Sequence, residues 1–330
     1  MKLSILDQAP VSIGHTPSEA LQFAEKLALL GDELGFERMW MAEHHNTPAY
    51  VSSAPEITAA HLAAKTKRIR IGTGGVMMMH YSPLKLAEVF KTLSAFAPGR
   101  IDYGVGRAPG GDHHSIRALA EGSPNTFDDL YDKFATSLQL LNDQKTTDPL
   151  YKPVQAYPQH VVLPQAWLLG SSGQSAIQAG RLGVGYSFAQ FFNGAMSKEI
   201  FDAYRTNFQP SDFMEKPFIN VTYAATVAKT KDEAEFHALP IDLSRLFLTR
   251  GHIRPTMTPE EAKDFPLSEM DKSIIDKNRE LHLVGTAAEV ARKLEQDLQE
   301  FQFDEIMINS NQHSFEARLD TYRLLAKELI

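Results

Sequence analysis

The sequence predicts an α/β protein, a (β/α)₈ TIM barrel with insertions, and three observations carry that reading. Strand-like and helix-like segments alternate from the first residues to the last, the order that gives a parallel sheet with right-handed crossovers. Eight strand segments are countable along the chain. The length of 330 residues suits either two ordinary domains or one barrel with insertions. The count of eight decides for a single domain over 1–330, with insertions at about 108–126, 148–164 and 239–279.

Lys2 to Asp7 is the first strand, short and apolar. Thr16-Pro17-Ser18-Glu19 then opens a helix, with Thr16 as N-cap, Pro17 at the first helical position and Glu19 closing a capping box. Phe23, Leu27, Leu30 and Leu34 follow on one face, and Gly35 is the stop. Met39–Ala42 is a strand, Pro55–Lys65 an alanine-rich helix, and Arg68–Thr73 a strand running into Gly74-Gly75. Pro83 opens a helix carrying Leu86, Phe90 and Leu93, and Arg100–Gly106 is the fourth strand.

A glycine-rich polar loop from Ala108 to Thr126 leads to a helix over Asp128–Asn142. The stretch 148–164 holds four prolines and no period, so it reads as irregular. Alternation resumes with strand Ala166–Leu169, helix Gly173–Leu182, strand Gly185–Ala189, a helix over about 195–208, and a long strand Phe218–Ala228. Leu239–Arg279 gives no clear element and is expected to hold helices and a lid-like loop. Thr286–Phe301 is a helix, Asp304–Asn309 the eighth strand and Phe315–Leu329 the closing helix.

Composition narrows the function. Lys and Arg number 33 against 41 Asp and Glu, a net charge of −8 that disfavours nonspecific binding to nucleic acid. There is no cysteine, which removes thiolate nucleophiles, thiolate-bound metals and disulfides and fits a reducing compartment. The first residues meet Asp7 before an apolar region develops, and no run approaches the length of a membrane span. A cytoplasmic enzyme is the expectation.

Barrel active sites sit at the C-terminal ends of the strands, and four such ends stand out. Glu43-His44-His45 follows the second strand, where an imidazole serves as acid/base or packs as a buried polar group. Gly72-Thr73-Gly74-Gly75 ends the third, allowing either close approach of a flat ligand or a simple bulge. Gly104-Val105-Gly106-Arg107 ends the fourth; its guanidinium suits a phosphate or carboxylate, while the glycines do not match a dinucleotide fingerprint. Gly170-Ser171-Ser172-Gly173-Gln174-Ser175 opens a helix after the fifth, a site for a phosphate or plain N-capping. The histidines lack H-x-H or H-E-x-x-H spacing, which argues against a zinc hydrolase.

In order and spacing these segments, with Trp167–Ser172, Ala179–Gly183 and Tyr186–Ala189, resemble the bacterial luciferase-like flavin monooxygenases over essentially the whole chain. The resemblance implies a barrel that binds FMN, usually as reduced flavin from a separate reductase, and uses O2 on a small organic substrate. It places Arg107, Ser171, Ser172 and Ser175 at the flavin phosphate. It places Thr73, Gly74 and Gly75 against the ring, with a non-prolyl cis peptide between the two glycines, and His44 as the pocket acid/base. It also implies a homodimer, with the 55–65 helix as the suspected interface. The light-emitting subunit carries a reactive cysteine where this chain has Gly106, so light emission is not expected. An F420-dependent hydride-transfer enzyme and a non-catalytic flavin-binding protein are the alternatives within this fold.

Overall fold

Residues 1–122, 129–193 and 195–330 are described by a computed structural model. Eight parallel strands close on themselves in the order β1 (Leu3–Asp7), β2 (Arg38–Met41), β3 (Arg70–Thr73), β5 (Ile101–Gly106), β6 (Gln165–Gly170), β7 (Gly185–Ala189), β8 (Ile219–Ala228) and β10 (Glu305–Asn309). Closure is made by β10, which bonds β8 through Glu305–Asn309 and β1 through Ile306–Asn309. These eight are the strands the sequence predicts, and the fold is a (β/α)₈ barrel.

Two short strands lie outside that ring. The first, β4 (Val76–Met77), pairs with β5 just beyond β3. Gly72 opposes Asp102 while Val76 opposes Val105, so four steps on one strand match three on the other. That extra residue is a bulge, and the cis peptide between Gly74 and Gly75 lies within it. The second, β9 (His282–Thr286), pairs with the upper half of β8, from Ala224 to Ala228, where β8 has outrun its barrel neighbours.

Helices α1 (Pro17–Leu34), α2 (Pro55–Lys65), α3 (Pro83–Phe96), α5 (Leu130–Leu141), α6 (Gly173–Arg181), α8 (Lys198–Asn207), α12 (Ala287–Phe301) and α13 (Phe315–Leu329) surround the strands. The Thr16–Glu19 capping box forms, and Gly35 ends α1 with φ 89°, a left-handed conformation natural to glycine. Phe23 and Leu27 are fully buried against the barrel, as the periodicity requires.

The helix expected from about 195 starts later, at Lys198, with Ser197 at its N-cap. A separate turn, α7 (Gln190–Asn193), precedes it. The 148–164 insertion contains neither strand nor α-helix. In the 108–126 insertion a short helix, α4 (His113–Leu119), is capped by Asp112; residues 123–126 of that loop, and the start of the predicted helix at Asp128, lie outside the described residues. The stretch that resists assignment is largely helical: α9 (Lys231–Thr249) enters it, and α10 (Pro259–Lys263) and α11 (Glu269–Arg279) follow.

Inside the barrel, Leu6, Trp40, Trp167 and Met307 form a closed apolar layer, with the two indoles packed edge to face at 5.3 Å. Below it lies a saturated ionic floor at the strand starts. Buried Arg38 donates to Asp102 at 2.7 Å and to Glu305 at 2.9 Å. Asp102 accepts further bonds from Trp40 at 2.9 Å and Arg70 at 2.8 Å, and Asn220 donates to Glu305 at 2.7 Å. The barrel is thus plugged below.

Candidate functional site

At the mouth lies a cavity of about 450 Å³, of a size that suits a small organic ligand. Its lining comes from the loop after β2, the loop after β5, helix α7 and helix α9 with the segment that follows it.

The loop after β2 is held in place by Glu43, which is fully buried. One carboxylate oxygen accepts from the Tyr81 hydroxyl at 2.7 Å and pairs with His45 Nε2 at 2.7 Å; the other accepts from the Met77 amide at 2.8 Å. Burial, with Glu43 adjacent, pushes the Tyr81 phenol up, which keeps it protonated and donating. The His44 amide donates to Ser52 at 2.8 Å and the His45 amide to Gly110 at 2.7 Å, so the loops after β2 and β5 are tied together. Gly110 has φ 67°, and a Cβ there would lie 3.0 Å from the Glu43 carbonyl oxygen. Only glycine fits that close approach without strain.

With Glu43 below it, His44 reaches the cavity and stacks on Tyr50, ring centroids 4.5 Å apart. Its Nδ1 is buried and has no hydrogen-bond partner. Burial pushes the imidazole down to about 4, with Glu43 opposing and His45 adding to the shift. At neutral pH the ring is therefore uncharged, able to accept a proton but not to supply one.

The other predicted residues do not line this cavity. Thr73 is buried and donates to the Gly104 carbonyl at 2.9 Å. Gly74 faces the barrel interior, where a Cβ would meet Leu6 and Trp40. The expected cis bond between Gly74 and Gly75 is present. Gly75 packs against the backbone of β5, so that a Cβ would lie 2.8 Å from the Gly104 oxygen. At Gly106, by contrast, a Cβ would meet only Met77 Sδ, at 3.7 Å. A larger side chain fits there, so the missing cysteine leaves open space beside the bulge.

Arg107 is exposed and makes no ion pair among the described residues. Arg107 follows β5 and the serine turn follows β6, which pair from Asp102 to Val105, so the two stand after neighbouring strands. In that turn the hydroxyls divide. Ser172 and Ser175 form a reciprocal capping box, and the Ser175 hydroxyl, buried, donates to the Ser172 carbonyl at 2.8 Å and contacts the Tyr186 hydroxyl at 3.1 Å. N-capping therefore accounts for two of the three serines. Ser171 is left half-buried, its hydroxyl outside the cap.

Sequence reasoning missed Glu43 as the organiser, Tyr50 as the ring beneath His44, and Arg245 and His282 as cavity residues. The His282 Nε2 lies 2.9 Å from the Thr226 hydroxyl, and burial, helped by Arg245 and Arg279, pushes this imidazole well below its ordinary value. Among the described residues no group of three or more His, Asp or Glu is placed to hold a metal ion.

The profile of luciferase-like monooxygenases matches residues 1–305. A luciferase-like monooxygenase of Escherichia coli (strain K12) is 35% identical over 97% of this chain and 95% of its own. The N-acetyl-S-alkylcysteine monooxygenase of Bacillus subtilis (strain 168) is 36% identical over 89% of this chain and 88% of its own. The crystal structure of apo-MsnO8 superposes with a TM-score of 0.90 at 34% identity, covering 100% of this chain and 99% of that one.

Proposed function

The chain belongs to the luciferase-like monooxygenase family and is an oxidoreductase of that type, and we propose that it oxygenates a small organic substrate with O2 and reduced FMN, without emitting light. What supports this reading is Arg107, without an ion pair among the described residues, following β5 where the neighbouring strand β6 leads into the first turn of α6. One guanidinium and the free amides of one helix start match a single phosphate monoester. The longer anionic tail of F420 calls for a wider basic rim, and this chain is acidic.

In this reading Arg107, the Ser171 hydroxyl and the amides around Ser172 and Ser175 hold the FMN phosphate. Thr73, Gly74 and Gly75 border the isoalloxazine, with the open side of Gly106 leaving it room. Reduced FMN, when bound, supplies the two electrons with which dioxygen is activated. The chain's own residues then position, shield and move protons. Stacking on Tyr50 holds the His44 ring in the cavity, where burial keeps it uncharged and its Nδ1 has no partner, ready to accept a proton from the substrate. Phe191, Ile241 and Phe247 make an apolar wall that keeps water out.

A diffusible flavin implies a separate reductase, and the absence of a long apolar helix among the described residues fits the cytoplasm, where reduced flavin is made. Residues 1–330 act as one domain. Pairing of two copies would use α2, whose Ile57 is 67% exposed; Ile57→Asp should convert the dimer to monomer in light scattering, and an unchanged mass would remove α2 from the interface.

Titration of the protein with FMN, followed by flavin fluorescence, tests the cofactor. Arg107→Ala should weaken binding by about ten-fold or more, the cost of one charge-assisted phosphate contact, with an unchanged melting temperature. Unchanged affinity would contradict the phosphate assignment.

A further inference from the structure

The cavity wall formed by α9 contains a cation that makes no ion pair among the described residues. Arg245 is largely buried and faces the cavity. Its guanidinium donates only to two backbone carbonyls, Phe191 at 3.3 Å and Leu281 at 3.5 Å, both long, and it makes no ion pair among the described residues. Asp242 stands three residues earlier on the same helix, a spacing at which side chains meet. Both Asp242 oxygens are nevertheless held by Arg279, at 2.5 and 2.6 Å, and Glu235 adds a third bond to Arg279 at 2.6 Å. The neighbouring Arg279 holds both Asp242 and Glu235.

Nothing else in the cavity replaces them. Among the described residues the one carboxylate in the lining is Asp112, already occupied as the N-cap of α4 by the Ser115 amide at 2.9 Å and by Asn46 at 3.1 Å. A second arginine, Arg254, lies exposed at the edge, stacked over Phe247 with its guanidinium carbon 3.9 Å from the ring centre. In a protein of net charge −8, this cavity is locally positive. A partly buried guanidinium with unused N–H donors gains when an anion completes it, and its planar fork matches a carboxylate.

We propose that the cavity takes a small organic acid, with Arg245 binding the carboxylate and Phe191, Ile241 and Phe247 receiving the apolar remainder. This rests on the oxygenase reading above and names the substrate class for it. Arg245 touches the substrate end remote from chemistry and positions it, and Arg254 attracts the anion at the entrance. Tyr50 connects the two ends of the site: His44 stacks on its ring, and Arg245 is the charge acting on its phenol.

The proposal is tested by calorimetric titration of the full-length protein with octanoate and with octanamide, which share an apolar chain and differ in charge. Octanoate should bind about ten-fold more tightly than octanamide, the value of one charge-assisted fork contact. Arg245→Gln should abolish the preference while leaving octanamide binding unchanged, Arg245→Lys should retain part of it, and Arg254→Gln should weaken octanoate by only about two- to three-fold, as for a rim charge. If Arg245→Gln does not fold, the wild-type pair and the lysine variant still decide. Equal affinity for acid and amide in the wild type, or a preference that survives Arg245→Gln, would overturn the proposal. So would FMN competing directly with octanoate, since that gives Arg245 to the flavin phosphate. Octanoate preference without any FMN binding would overturn the flavin reading and leave this one standing.

Discussion

At the floor of the barrel Arg38 is enclosed by Asp102 and Glu305, and those carboxylates are in turn bonded by Trp40, Arg70 and Asn220. At the mouth, Arg245 has two long carbonyl contacts and His44 keeps a buried nitrogen with no partner. Both regions hold a guanidinium, and the contrast lies in how completely its partners satisfy it. Where every donor meets an acceptor, removing one member leaves the rest stranded and the fold suffers. Where a donor at the mouth is left incomplete, a ligand is what would complete it in the reading proposed above. Burial alone would have ranked Arg38 above Arg245 as a site residue; the state of the partners reverses that order.

The largest effect should come from breaking the floor. Asp102→Ala removes an acceptor shared by Arg38, Arg70 and the Trp40 indole and should cost about 3–5 kcal/mol in urea denaturation. A loss under 1 kcal/mol, on the order of an exposed pair, would mean that the floor is not the ionic keystone described above.

Acid should distinguish the mouth. His44 has a folded-state pKa of about 4, below the roughly 6.5 of an unfolded histidine. The unfolded chain therefore binds the proton first, and stability is full above that upper value and declines as pH falls towards the lower one. The linkage amounts to roughly 3 kcal/mol at most, and buried His282 is shifted in the same direction. His44→Gln should flatten the decline in melting temperature across this window; an identical decline in the variant would place the titration elsewhere.

The smallest predicted effect divides the serine turn. Ser171→Ala should weaken FMN by about three-fold with no change in stability, for one lost neutral hydrogen bond. Ser175→Ala should instead cost about 1 kcal/mol of stability through the cap it makes with Ser172. Interchanged outcomes would show that the cap, not Ser171, meets the phosphate.

Much of the barrel was readable from the chain because its strands are apolar on both faces and its helices carry strong start signals. The Thr16–Glu19 box and the run from Phe23 are examples, both formed as expected. Elements that escaped were short or disguised. β4 has two residues, and β9 is a partly polar strand whose partner is the overhang of β8 and not a barrel neighbour. α9 was obscured by Pro240 in its interior, beyond which the helix continues to Thr249. At the site, His44, Arg107 and the serine turn announced themselves as polar residues at strand ends. Glu43 did not, since a carboxylate's role as acceptor for three donors depends on residues up to Tyr81. Arg245 was invisible for the complementary reason: its significance lies in Asp242 pairing with Arg279, which only the packing of α9 on α11 reveals.

The central claim is that this barrel presents reduced FMN to dioxygen. The direct measurement is anaerobic titration of the protein with reduced FMN, and in parallel with reduced F420, followed by rapid mixing with oxygenated buffer. Saturable binding of reduced FMN, with reoxidation at a protein-dependent rate unlike that of free flavin, is the predicted result. Saturable binding of reduced F420 with none of reduced FMN would contradict it.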